Sequence, residues 1–187
     1  MSEAIRAFAA VSISDGARRQ VAELLDRIRC ESGADVRWVK PELTHLTLAF
    51  LGEVSQDFLD RANAQLAQVA GRHDAFDVQL KGLGAFPISS LARVVWVGTD
   101  KGRTNICALQ RDVETALSSV GYQPERRRFS PHLTIGRLRV AGDVSRVTAT
   151  QFESELFTVD RVVLFRSVLG PGGPVYSRLS EYPLQIH

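Results

Sequence analysis

The spacing of apolar residues changes period repeatedly along this chain, and each change marks a predicted element. Arg6 to Ile13 alternates as a strand does, with Phe8 and Val11 among its apolar members, and Ser14 or Asp15 then offers a helix cap. Val21, Leu24, Leu25 and Ile28 fall on one helical stripe, which predicts a helix buried along that face and ended by Ser32-Gly33. Extended structure resumes at Val36 to Val39. His45-Leu46-Thr47-Leu48-Ala49-Phe50-Leu51, bounded by Pro41 and Gly52, is too short for a helix and reads as a buried strand. Ser55 then caps a second helix, with Leu59, Ala62, Leu66 and Val69 on one face.

Phe76, Val78 and Leu80 alternate with Asp77, Gln79 and Lys81, predicting a half-solvated strand that ends in a tight turn at Gly82 to Gly84. A loop around Pro87 and Ser89-Ser90 leads to a strand over Arg93 to Val97. Ile106, Leu109, Val113, Leu117 and Val120 form a third amphipathic helix, closed by Gly121. His132 to Arg137 is a strand after the basic loop Arg126-Arg127-Arg128, and three strand-like runs follow around Phe157, Val162 to Leu169 and Val175 to Leu179. Strands and helices alternate first and strands then accumulate. That order predicts an α+β fold with antiparallel or mixed sheets rather than a doubly wound parallel one.

Composition narrows the class without identifying a ligand. Hydrophobic residues are 44% and charged residues 24% of 187, enough for one packed domain spanning 1–187, and no apolar run approaches the ~20 residues of a membrane helix. No secretory signal stands out at the start, and two cysteines, Cys30 and Cys107, form no disulfide framework, so a cytoplasmic protein is expected. A net charge of +2 is too small to steer the whole chain onto long nucleic acid. Gly82-Leu83-Gly84 lacks the third glycine and the following helix of a dinucleotide fingerprint.

The informative feature is a near-duplicate, His45-Leu46-Thr47-Leu48 and His132-Leu133-Thr134-Ile135, whose histidines stand 87 positions apart. On a strand, alternate residues share a face, so each copy sends His and Thr one way and two aliphatic residues the other. Two such strands lining a cleft would show two imidazoles and two hydroxyls to one ligand. A pair of imidazoles can divide the work of base and acid near neutral pH, which suits in-line displacement at a phosphodiester, with hydroxyls holding the nonbridging oxygens. Zinc is the rival use of histidine. It takes three or four ligands at defined spacing, which His73, His187, Cys30 and Cys107 do not supply, so no metal site is expected.

The context of the two copies resembles the RNA 2′,3′-cyclic phosphodiesterases, also called the 2′-5′ RNA ligase family, within the two-histidine phosphoesterases. The resemblance runs through Arg6-Ala7-Phe8, Arg37-Trp38-Val39, the first His-x-Thr as far as Gly52-Glu53, and Gly82-Leu83-Gly84-Ala85-Phe86-Pro87. It continues through Arg93 to Gly98, Phe129 to Arg137, and Val163 to Ser167 with Tyr176. It implies a bilobal α+β fold in which two pseudo-symmetric, mostly antiparallel sheets face a central cleft with helices outside.

The resemblance also implies hydrolysis of an RNA terminal 2′,3′-cyclic phosphate to a 2′-phosphomonoester, without metal or nucleotide cofactor. His45 would be the proton donor, His132 the proton acceptor, and Thr47 and Thr134 the phosphate holders. Reverse 2′-5′ joining is the secondary reaction. The partner would be RNA ends with a cyclic phosphate, tRNA fragments among them, and the protein would be a monomer with no obligate protein partner. Arg137 matches a phosphate-contacting position, but strict alternation puts it opposite His132 unless a bulge intervenes. Phe8 is a candidate for stacking on a base, as is Phe50, and Arg126 to Arg128 are candidates for the RNA backbone. Two rival readings remain open: the same chemistry on small cyclic nucleotides or ADP-ribose cyclic phosphate, and a nucleotide-binding module of this fold without turnover.

Overall fold

A computed structural model describes residues 4–171 and 173–186. The strands are β1 (Ile5–Ser12), β2 (Val36–Trp38), β3 (His45–Val54), β4 (Phe76–Phe86), β5 (Ala92–Thr99), β6 (His132–Gly142), β7 (Glu153–Val159), β8 (Arg161–Gly170) and β9 (Gly173–Pro183). The helices are α1 (Asp15–Ile28), α2 (Gln56–Ala70), α3 (Arg103–Ser118) and the single turn α4 (Ser145–Thr148). The cap of α1 is Ser14 rather than Asp15, its hydroxyl accepting from the Ala17 N–H at 3.0 Å, and Ser55 caps α2 through the Phe58 N–H at 3.2 Å.

All strand pairings in the sheet are antiparallel, and its order is mirrored about the centre. Outward from the middle it runs β3-β1-β8-β9 on one side and β6-β5-β4-β7 on the other, with β2 added to β6. The two halves meet through one pair, Leu46 with Leu133. Beyond it β6 parts from β3 and takes β2 as its neighbour instead, so the bilobal α+β arrangement is one sheet divided by a short seam.

The seam is held from behind by packing. Leu46, Leu48, Leu133 and Ile135 are at most 2% exposed. With the buried stripes of the helices, Val21, Leu24, Leu25 and Ile28 on α1 and Ile106, Leu109, Val113 and Leu117 on α3, they belong to one core cluster. α2 and α3 pack on each other, while α1 lies against β7 and thereby ties the first helix to the far lobe. Core and helices occupy one face of the sheet. The half-exposed His and Thr positions occupy the other.

One element departs from its expected bounds. β4 does not end at Gly82 to Gly84 but runs to Phe86, pairing with β5 from Leu80↔Thr99 to Phe86↔Val94. Gly82 absorbs the irregularity at φ +70, as an extra residue between Leu80 and Leu83. A glycine in this left-handed conformation fits a strand bulge as well as a turn, which is why the sequence signal misplaces the end. Cys30 likewise lies exposed just past α1 rather than on it.

Candidate active site

Register brings the two His-x-Thr copies together. Carried one step either way from Leu46↔Leu133, the antiparallel ladder sets His45 across from Thr134 and Thr47 across from His132. The four side chains thus form a square on the cleft face, hydroxyls on one diagonal and imidazoles on the other, with ideal diagonal spacing of about 7–8 Å.

Each imidazole is fixed in the same way. His45 donates from Nδ1 to the Leu43 carbonyl at 2.9 Å, and His132 donates from Nδ1 to the Ser130 carbonyl at 2.7 Å. A carbonyl only accepts, so Nδ1 carries the hydrogen and Nε2 is the atom left to exchange a proton. The turn that supplies the Leu43 carbonyl is itself tied down: Arg18 donates to the carbonyls of Pro41 at 3.1 Å and Glu42 at 3.2 Å.

Aromatic rings wall both histidines. Phe8 stacks on His45 at 4.6 Å with 23° between planes, and Tyr176 meets His45 edge-on at 5.4 Å. On the other lobe Phe86 lies edge-on to His132 at 5.1 Å and Trp96 sits 6.3 Å away. Burial among these rings disfavours the imidazolium. It lowers His45 to about 4, with Arg137 and Arg18 adding to the effect against the Leu43 hydrogen bond. His132 is lowered too, by burial first, with Arg137 acting the same way and the Ser130 hydrogen bond and Glu125 opposing.

The positions of Arg137 and Phe8 follow from bulges. In β6 the partner of Trp96 is Thr134 and that of Val95 is Gly136, so Ile135 is an extra residue. Alternation resets there, and Arg137 emerges on the same face as His132 and Thr134. β3 repeats the device: Ala10 pairs with Thr47 and Ala9 with Ala49, leaving Leu48 extra and Phe50 on the cleft face. Arg137 and Phe50 are therefore equivalent positions, each five residues past its histidine. Phe8, offered by the sequence as a ring for a base to stack on, is 4% exposed and packed against His45 at 4.6 Å, Phe165 at 5.1 Å and Tyr176 at 5.0 Å, which leaves little of it for a nucleobase. Phe50, 53% exposed, is the free ring.

Two hollows meet at Phe50 and Arg137. One, of about 310 Å³, includes His132, Thr47, Thr134, Arg127 and Arg128 in its wall. The other, of about 960 Å³, lies along Phe8, Trp38 and Tyr176. His73 lines neither hollow and is paired with Asp112 at 2.8 Å, and His187 lies outside the described residues. Phe165, Tyr176, Phe86 and Trp96 escaped the sequence reading as site residues because an aromatic in an alternating strand looks like core whichever sheet face it occupies.

The family model for the 2′-5′ RNA ligase superfamily matches residues 17–171. The chain belongs to this superfamily. Among superfamily proteins named RNA 2′,3′-cyclic phosphodiesterase, that of Methanothermobacter thermautotrophicus is 33% identical over 187 residues, covering 96% of this chain and 99% of that one. The Aeropyrum pernix protein of the same name is 34% identical over 167 residues, covering 87% and 93%. E. coli LigT, crystallised with 3′-AMP, superposes with a TM-score of 0.82 at 25% identity, over 98% of this chain and 100% of LigT. The 2′-5′ RNA ligase superfamily fold is thus shared along nearly the whole length.

Proposed function

We propose that this protein hydrolyses the terminal 2′,3′-cyclic phosphate of RNA to a 2′-phosphomonoester. The observation that carries the reading is the pair of Nε2 edges, each fixed through Nδ1 to a carbonyl two residues back and set on opposite corners of one square. His132 Nε2 takes a proton from water as the oxygen attacks phosphorus. The bond from phosphorus to the 3′ oxygen breaks in line, and that oxygen takes its proton from His45 Nε2. Thr47 and Thr134 hold the nonbridging oxygens, and Arg137 faces the charge that shifts onto them. Reversal of the same proton transfers would join a cyclic phosphate to a 5′ hydroxyl through a 2′-5′ bond.

The names of the relatives support the RNA end over a small cyclic nucleotide. The test is product identity: a cyclic-phosphate-ended oligoribonucleotide, incubated in excess chelator, is expected to yield the 2′-phosphomonoester. Unchanged substrate, or a 3′-phosphomonoester, defeats the reading.

Burial of both rings sets the pH dependence. In the free protein both imidazoles are neutral at pH 7, so the base is ready while the acid must acquire its proton. A bell-shaped kcat/KM profile is expected, with its optimum on the acid side of that of two ordinary imidazoles. Its limbs belong to the pair rather than to either ring. A bound phosphodiester anion favours the imidazolium and raises both pKa values, so the kcat profile should lie at higher pH than the kcat/KM profile. Coincident profiles would contradict this.

A further inference from the structure

The 960 Å³ hollow beside the seam has a wall of one sign. Arg6, Arg37, Lys40 and Arg137 line it, and among the described residues no Asp or Glu does. None of the four forms an ion pair among the described residues. Glu53 stands across from Arg6 in the β1/β3 ladder, yet the two do not come within ion-pair range.

The arrangement is costly as it stands. Arg37 and Arg137 are direct partners across the β2/β6 ladder, and like charges directly opposite destabilise a sheet. The Arg37 guanidinium extends toward β9, its Nη2 lying 3.0 Å from where a Cβ on Gly173 would stand. On the far wall, burial raises the Tyr176 hydroxyl while the charges of Arg137 and Arg6 pull it down. An anion between the guanidinium groups would turn the repulsion into attraction, and Arg forks suit phosphate oxygens.

We propose that this hollow holds the phosphodiester one nucleotide 5′ of the cyclic end, gripped by Arg37 and flanked by Arg6 and Lys40, with Arg137 standing between that grip and the reacting phosphate. The identity of the anion rests on the phosphodiesterase reading above; the anion site itself does not. Arg37 stands opposite Arg137, which lies three residues beyond Thr134 with one residue taken up in the bulge, so the backbone carrying Arg37 is about 7–10 Å along the strand from the square. That is one nucleotide step of an extended chain. The site therefore selects RNA ends over mononucleotide cyclic phosphates.

Product binding measured by calorimetry tests this without requiring turnover. A dinucleotide ending in a 2′-phosphate is expected to bind about tenfold more tightly than the nucleoside 2′-phosphate. The same dinucleotide with a neutral methylphosphonate linkage should bind like the mononucleoside. Arg37→Gln should bring the ratio near one, Arg6→Gln should lower it in part, and each lost contact should flatten the slope of log Kd on log salt by about 0.7. Arg37 is exposed on a three-residue edge strand, and thermal melts verify folding.

Equal binding of the dinucleotide and mononucleoside, or a ratio untouched by Arg37→Gln, overturns the proposal. So does a methylphosphonate that binds as well as the charged linkage. A nucleoside 2′,5′-bisphosphate matching the dinucleotide would reassign the site to a terminal phosphate and overturn the internal one. If the binding ratio holds while cyclic substrates are not turned over, the second anion site stands and the phosphodiesterase reading falls.

Discussion

Replacing His45 or His132 with alanine is expected to lower kcat on a cyclic-phosphate-ended oligoribonucleotide by roughly 10²–10⁴ each, the range for loss of a positioned proton-transfer group. The double variant should lose far less than the product of the two, because base and acid serve one displacement and neither is useful alone. Single-turnover rates with saturating substrate measure this directly. Turnover within threefold of the parent in either single variant would remove the histidine pair from the reaction.

A lost fold would mimic that result, and the physical state of His45 separates the two. Its pKa in the folded protein, lowered to about 4, is below that of the unfolded chain. Between about pH 6.5 and 4 the unfolded state therefore binds a proton that the native ring refuses, and stability of the parent falls as pH drops through that window. His45→Ala has no such proton to refuse. It should resist mild acid better than the parent while being catalytically inert, an outcome that misfolding cannot produce. A steeper acid loss in His45→Ala than in the parent would show that the ring is held for stability.

The backbone logic of this site was legible in the sequence to different depths. The two-faced strands could be read because Leu46, Leu48, Leu133 and Ile135 each alternate with a polar residue, and period two fixes a face without reference to anything distant. Arg137 could be placed only conditionally. A bulge is a mismatch between two strands, and the extra residue, Ile135, becomes extra only against Val95 and Trp96. The same holds for Gly82, whose left-handed conformation is compatible with a turn or a bulge until β5 is laid beside it. Phe8 shows the limit for side chains. Whether a cleft-facing ring is open or packed over depends on His45, Phe165 and Tyr176, which lie in other strands. The opposition of Arg37 and Arg137 is likewise a property of pairing across 100 positions and leaves no local trace.

Leu133→Ala is expected to destabilise the protein by about 2–5 kcal/mol, since its side chain is fully buried and the cavity left behind cannot be refilled from the cleft side. Leu109→Ala, equally buried on α3, should cost a similar amount, and denaturant titration would compare them. Their effects on catalysis should differ. Leu133 with Leu46 is the pair that joins the lobes, and the imidazole–hydroxyl square is defined by the register at that point. A loosened seam lets the two halves shift relative to each other, and displacement of about 1 Å at a reacting centre can cost a hundredfold in rate. Assayed at a low temperature where both variants remain folded, Leu133→Ala should therefore lose kcat far beyond Leu109→Ala. Equal kcat in the two would mean that the lobes are held in register by the helices behind them, with the seam contributing only its share of burial.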